Sequence, residues 1–253
     1  MHNMSKKKIC IFVPADKNNE QFFQYFKNSL RKFHNEEELP LFRYDNPNPA
    51  DSSFWYRATP IIAKDLIKEF EIIIKADADQ IITGSLSHIW EGEFDVAVVQ
   101  NSNPRDWQSH LQATGQLLSL LTIDPLEYVN NGLVVMKSEK FINHWNRLCN
   151  SKLFNNFPFA EQGLLNILVH FGDYNVKFLD YSNKWHGLIS KGFYPQVVLK
   201  ENKLFLLKNE EWPKDEDKEI VCLHWAGGND PDKGNYRIRF QPEVVKYLDN
   251  LIK

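Results

Sequence analysis

Two carboxylates one residue apart, Asp77 and Asp79, follow the apolar run Ile72-Ile-Ile74 with only Lys75 and Ala76 between. At the carboxyl end of a strand such a pair can reach one divalent cation or its water shell, and open α/β sheets place ligands at that edge. Hard oxygen donors suit Mg²⁺ or Mn²⁺, with substrate phosphates completing the coordination. His224 follows a second apolar run, Ile220-Val-Cys-Leu223, and its imidazole adds a nitrogen donor that favours tolerance of Mn²⁺. Gly227 and Gly228 lie just beyond, where the lack of a Cβ lets backbone amides approach a phosphate. Lys233 adds a positive charge to the same loop.

Other positions suit a hydroxyl-rich ligand. Asn130-Asn131-Gly132 stands before Leu-Val-Val-Met136, and each amide offers both a donor and an acceptor. Glu161-Gln162 opens an apolar stretch containing Leu164, Leu165 and Asn166, while Arg57 can face an anion or serve as a surface cation. Each signal also has a structural reading. The aspartates can be a solvated pair at a turn, and the histidine can end a strand before a glycine turn. Asn-Gly is a common turn dipeptide, and a carboxylate at a helix start complements the dipole.

The elements that must position these side chains alternate along the first 150 residues. Residues 9–13 form a continuous apolar run stopped by Pro14, which predicts a strand covered on both faces. Asn18-x-x-Gln21 predicts a helix start, with Phe22, Phe26, Leu30 and Phe33 on one face. Residues 40–44 predict a second strand, followed by an Asn46-Pro-Asn-Pro49 loop. Thr59-Pro60 predicts a helix with Thr as cap and Pro at the first helical position, burying Ile62, Leu66 and Phe70. Residues 72–74, 95–99 and 132–136 predict strands, and 138–149 a helix with Phe141, Trp145 and Leu148 on one side. Beyond these come a helix over 164–169, a strand over 176–179, a solvated loop over 208–219 and a strand over 220–223. This is the α/β signature, and without an internal repeat or Gly/Ser linker one continuous domain over 1–253 is expected.

Composition narrows the class. A chain of 253 residues can bury roughly 70–75% of its unfolded surface. With 30 Lys+Arg against 33 Asp+Glu, it lacks the basic excess of a nucleic-acid binder. Cys10, Cys149 and Cys222 are odd in number and widely spaced, so buried free thiols in a reducing compartment are expected. The N-terminal Met-His-Asn-Met-Ser-Lys-Lys-Lys has the charged start of a signal peptide but no long apolar stretch after it. No run approaches the ~20 apolar residues of a membrane span, and a cytoplasmic protein is expected. Aromatics reach 13%, and Tyr181, Trp185, His186 and Tyr194 either line an acceptor pocket or belong to the core.

Taken in order, the fragments resemble the metal-dependent glycosyltransferases of GT-A fold, in particular glycosyltransferase family 8 and its relatives. Asp77-Ala-Asp79-Gln-Ile-Ile-Thr-Gly-Ser-Leu-Ser-His-Ile-Trp90 is similar to their Asp-x-Asp segment, which continues to a Gly and a Leu-x-x-Leu/Ile-Trp. Tyr128-Val-Asn-Asn131-Gly132-Leu-Val-Val-Met136 is similar to their Asn-x-Gly strand. Glu161-Gln162-Gly163-Leu-Leu-Asn166 resembles the Asp-Gln-Asp-x-x-Asn helix start, with Gly163 in place of the second acidic residue. His224-Trp-Ala-Gly227 resembles the C-terminal His-x-x-Gly motif.

The resemblance implies a single Rossmann-like GT-A domain with a mixed, mostly parallel central sheet flanked by helices. Residues 8–136 would form the nucleotide-sugar-binding half, and 137–240 the acceptor-binding half with the C-terminal histidine loop. Asp77, Asp79 and His224 would hold Mn²⁺ or Mg²⁺. Asp77, Ala15, Arg57, Gly227 and Lys233 would contact the donor, a UDP-sugar, although Asp16-x-x-Asn19 stands where relatives carry an Asp-x-x-Tyr that packs on the base. Asn131, Gln162 and Glu161 would act near the reacting carbon. The acceptor would be a glycan or another hydroxyl compound, attacking with retention of configuration while a phosphate oxygen takes its proton. Two other readings are a haloacid-dehalogenase-type phosphatase with Asp77 as nucleophile, and a non-catalytic nucleotide- or glycan-binding protein using Trp185, Trp212 and Trp225 as platforms.

Overall fold

Apolar runs too uniform for a half-exposed sheet form the centre of the molecule. The computed structural model describes residues 9–48, 54–55, 57–100, 127–152, 154, 161–179, 184–189, 196–208, 216–225 and 236–253. Its first sheet contains β1 (Ile9–Pro14), β2 (Leu41–Tyr44), β3 (Ile72–Ala76), β5 (Val96–Gln100), β6 (Val129–Met136) and β7 (Val176–Phe178), in the order β2-β1-β3-β6-β5-β7. Pairings β1–β2, β1–β3 and β5–β7 are parallel, and β3–β6 and β5–β6 antiparallel, so the sheet is mixed and mostly parallel as expected. A second sheet holds β4 (Gln80–Ile82), β11 (Lys218–Trp225), β10 (Lys203–Leu206) and β9 (Val197–Lys200), with β8 (Lys184–Ile189) parallel to β11.

Helices cover both faces of the first sheet, which is why its strands carry no polar alternation. On one face lie α2 (Ala58–Leu66), α3 (Glu139–Cys149) and α4 (Glu161–Phe171), packing Ile62, Trp145 and Leu165 against Phe12, Ile73 and Val134. On the other, α1 (Glu20–Arg31) brings Phe23, Phe26 and Leu30 into a cluster with Ile11, Ile74 and Val135, and with Ile82 and Cys222 of the second sheet. The second sheet rests its other face on α5 (Pro242–Ile252), through Leu204, Ile220, Leu223 and Leu248. All three cysteines are buried free thiols. Among the described residues no helix is long and apolar enough to cross a membrane.

Several boundaries differ from the sequence expectation for identifiable reasons. Asp16, not Asn18, supplies the first cap: its Oδ1 accepts from the backbone N–H of Asn18 at 3.0 Å and of Asn19 at 3.1 Å, opening a 3₁₀ turn before α1. The buried side of α1 carries Phe23 and Ser29 besides Phe26 and Leu30, leaving Phe22 and Phe33 half-buried. Thr59 lies inside α2 and caps nothing, because its hydroxyl is engaged by another helix; Arg57 holds the cap position. Asn130, Asn131 and Gly132 form no turn but lie within β6, where the pairing with β5 changes register. The expected 208–219 loop is shortened, since β11 begins at Lys218 and Glu219 pairs with Lys203 at 3.2 Å; residues 209–215 lie outside the described residues. The β9–β10 hairpin escaped the sequence reading because its turn is built on Glu201 (φ 49°) and Asn202 (φ 60°), without glycine.

Candidate functional site

Residues 77–79 cross from the first sheet to the second. The Asp77 N–H donates to the Gly132 carbonyl at 2.8 Å, fastening this end to β6, and the Asp79 carbonyl accepts from the Trp225 N–H at 3.0 Å, fastening the other end to β11. Strand β11 runs antiparallel to β4 with His224 opposite Gln80. That register brings His224 Nε2 to 3.4 Å from Asp77 Oδ2 and 3.3 Å from Asp79 Oδ1. One ligand atom from each residue lies within 4.8 Å of the others. The three metal-ligand candidates of the sequence are thus brought together across both sheets, with two hard oxygens and one nitrogen converging.

Glycine at 132 is required by this closeness. A Cβ there would lie 2.1 Å from His224 Cε1 and 2.6 Å from Nδ1, so the imidazole occupies the space a side chain would fill. The buried Gln80 holds the same arrangement from beneath: its Nε2 donates to the Gly132 carbonyl at 2.7 Å and its Oε1 accepts from Cys222 Sγ at 3.3 Å. Burial works against charge on His224, but the Asp79 and Asp77 carboxylates outweigh it and raise the imidazole to about 9. At Asp77 partial burial is likewise overruled, first by the Lys75 ammonium and then by His224, leaving the carboxyl well below the usual carboxylate range.

Lys75 was not singled out by sequence reasoning. It is 2% exposed within β3, and its ammonium donates to Asp77 Oδ1 at 2.5 Å and to the Asn131 carbonyl at 2.6 Å. The available signal was a lysine inside a strand predicted to be covered on both faces, where that residue type is rare unless paired.

A second polar group adjoins the first through β6. Glu161 Oε1 accepts from Thr59 Oγ1 at 2.7 Å and Asn131 Nδ2 at 2.8 Å, and Oε2 accepts from the Thr59 N–H at 3.2 Å. Glu161 is 4% exposed, and burial raises its carboxyl to about 7 against the opposing pull of Lys75 and Thr59. Gln162 Oε1 accepts from Asn130 Nδ2 and the Asn131 N–H, both at 3.2 Å, and its Nε2 donates to Tyr128 Oη at 3.4 Å. The buried Asn166 completes the joint, its Oδ1 accepting from the Val129 N–H and its Nδ2 donating to the Val129 carbonyl, both at 2.9 Å. Asn131, Gln162 and Glu161 are therefore in mutual contact, with Asn130 and Asn166 as partners the sequence reading did not assign.

Only some of the remaining candidates fall among the described residues. Ala15 is buried at the end of β1, its N–H donating to the Tyr44 carbonyl at 2.9 Å and its carbonyl accepting from Arg43 Nε at 3.1 Å. Arg57 is half-buried at the start of α2. Gly227, Gly228, Lys233, Tyr181, Tyr194, Trp212 and the Trp185 side chain lie outside the described residues. His186 is a core residue, 3% exposed, with its Nε2 3.2 Å from that of His88. Trp225 is 5% exposed and packs on Tyr236, so it offers no open platform.

No protein-family model and no curated protein matches the sequence. Solved structures do match. The apo structure of the bifunctional glycosyltransferase WbbM superimposes with a TM-score of 0.60 at 14% identity, covering 100% of this chain and 53% of that one. The galactosyltransferase LgtC, in complex with donor and acceptor sugar analogues, gives 0.62 at 13% identity, covering 96% of this chain and 95% of that one. A glycosyltransferase involved in glycosylation of the major capsid of PBCV-1 gives 0.54 at 12% identity, covering 90% and 98%. The chain spans about half the length of WbbM and nearly all of the other two. What it shares with them at these identities is the fold, the GT-A fold of glycosyltransferases.

Proposed function

We propose that the protein transfers a sugar from a nucleoside-diphosphate sugar to a hydroxyl acceptor with the help of a divalent cation. The observation that carries this reading is the convergence of Asp77, Asp79 and His224 where the two sheets of a GT-A fold meet. Two carboxylate oxygens and an imidazole nitrogen suit Mn²⁺ and accept Mg²⁺, and three ligand atoms within 4.8 Å of one another fit one ion. When bound, such an ion neutralises the diphosphate as it leaves.

The chain's own residues then hold and orient. Backbone hydrogen bonds fasten Asp77 to β6 and Asp79 to β11, so neither needs a large rearrangement to face a ligand. We assign Asn131 and Gln162 to the donor sugar and the bond being made, and Glu161 to holding Asn131 in place. Glu161 already accepts three hydrogen bonds, which argues against its serving as a general base. A reaction in which the acceptor attacks the face the diphosphate leaves, and a phosphate oxygen takes its proton, needs positioning rather than such a base. We further propose that 8–136 binds the donor, a UDP-sugar, and that 137–240 supplies the acceptor side, for a glycan or glycoconjugate. The phosphatase reading is disfavoured by Lys75, which occupies one oxygen of the carboxylate that would have to attack.

The test is a panel of UDP-, GDP-, ADP- and dTDP-sugars incubated with Mn²⁺, with released nucleoside diphosphate as readout. Slow hydrolysis of at least one donor is expected, faster when a hydroxyl acceptor is added. Release with no donor, or equal release by Asp79→Ala, would contradict the proposal.

A further inference from the structure

We infer that Lys75 lowers the charge of the metal-ligand group so that the site takes its cation jointly with a diphosphate and only weakly alone. The inference rests on the reading of Asp77, Asp79 and His224 as a cation site. Its starting point is the placement of an ammonium where a strand interior should be apolar: Lys75 is 2% exposed, with Nζ 2.5 Å from Asp77 Oδ1. A second bond, to the Asn131 carbonyl at 2.6 Å, prevents the ammonium from swinging away.

Two consequences follow from this geometry. First, Asp77 is divided: Oδ1 is committed to Lys75 while Oδ2 faces His224 at 3.4 Å, so Asp77 presents one oxygen and not a chelating pair. Second, with His224 neutral, as a metal ligand must be, the two aspartates and Lys75 sum to one net negative charge. A divalent cation therefore leaves the site positive. That residual positive charge attracts a diphosphate, whose own charge in turn strengthens the hold on the cation. Because linkage is reciprocal, the factor by which diphosphate tightens the cation equals the factor by which the cation tightens diphosphate. Lys75 is thus a positioning residue that acts through Asp77.

The experiment titrates Mn²⁺ by electron paramagnetic resonance, alone and with saturating UDP or inorganic pyrophosphate. The proteins are the wild type, Lys75→Gln and Lys75→Met, with thermal melting as a check of folding. In the wild type either anion should tighten Mn²⁺ by about tenfold or more, pyrophosphate showing that the effect belongs to the diphosphate and not the base. Lys75→Gln should bind Mn²⁺ alone about tenfold more tightly than the wild type, with the anion-induced gain correspondingly reduced. Lys75→Met should shift the same way. A purely structural role would weaken Mn²⁺ binding or leave it unchanged in folded variants, and either result overturns the inference. Should neither variant fold, a wild-type Mn²⁺ affinity indifferent to both anions overturns it as well. No Mn²⁺ binding by the wild type under any condition would instead bring down the underlying reading of the site.

Discussion

The Asp77–Asp79–His224 group and the Glu161–Asn131–Gln162 group both adjoin the same stretch of β6, and each is built around carboxylate oxygens. They differ in what is left over. In the second, the Glu161 carboxylate accepts three hydrogen bonds and the Gln162 amide is bonded at both ends. In the first, carboxylates converge on an imidazole at 3.3–3.4 Å, and both Asp77 and Asp79 keep part of their surface, with side chains 34% and 12% exposed. A saturated network fixes the fold, whereas partly exposed carboxylates converging on an imidazole can take a ligand.

The contrast breaks most decisively at Asp79. Asp79→Ala should lower transfer by about a thousandfold or more, far out of proportion to the fall in melting temperature that follows from losing its ion pair with His224. Equal losses of activity and stability would show that this group, too, is structural. Gly132→Ala comes next, because it touches both groups. Displacing His224 should cost about 10–100-fold in Mn²⁺ affinity, the size seen when the setting of a ligand is disturbed. Strain should also remove about 1–3 kcal/mol of stability, read by urea unfolding.

The saturated group predicts the reverse balance. Glu161→Ala orphans the donors of Thr59 and Asn131 and should cost about 3 kcal/mol in folding, measured by urea unfolding, whatever it does to turnover. Its pH dependence is a subtler signature. The Glu161 carboxyl is raised from 4.5 to about 7 in the folded protein, so the native state holds this proton more tightly than the unfolded chain. Its contribution is fully present below pH 4.5 and is lost as pH rises through about 7. Wild type should therefore lose up to about 3 kcal/mol relative to Glu161→Gln between pH 4.5 and 8, the difference levelling off above. Parallel pH profiles would show that Glu161 is not desolvated as described. Thr59→Val should have the smallest effect, about 1 kcal/mol, from loss of one hydroxyl donor.

These two groups also mark how far the sequence could be read. The strands were legible because Ile72-Ile-Ile74 and Val96–Val99 are apolar on both faces, and Asp77, Asp79 and His224 stood out as polar residues immediately after such runs. Local chemistry decided by distant partners was not legible. Thr59 looked like a cap because nothing nearby reveals that Glu161, 102 residues on, takes its hydroxyl. Asn130-Asn131-Gly132 kept a turn as its alternative reading because the need for glycine comes from His224 pressing on that strand. Lys75 passed as an ordinary lysine for the same reason: its meaning lies in Asp77 Oδ1 and a carbonyl 56 residues away.

The central claim is that Asp77, Asp79 and His224 form a cation site serving a nucleoside diphosphate. Isothermal calorimetry of UDP binding with Mn²⁺ present, and again in excess chelator, tests it most directly. The account predicts one-to-one binding with Mn²⁺, weakened at least about tenfold by the chelator. Binding of equal strength in both conditions, or none in either, would contradict it.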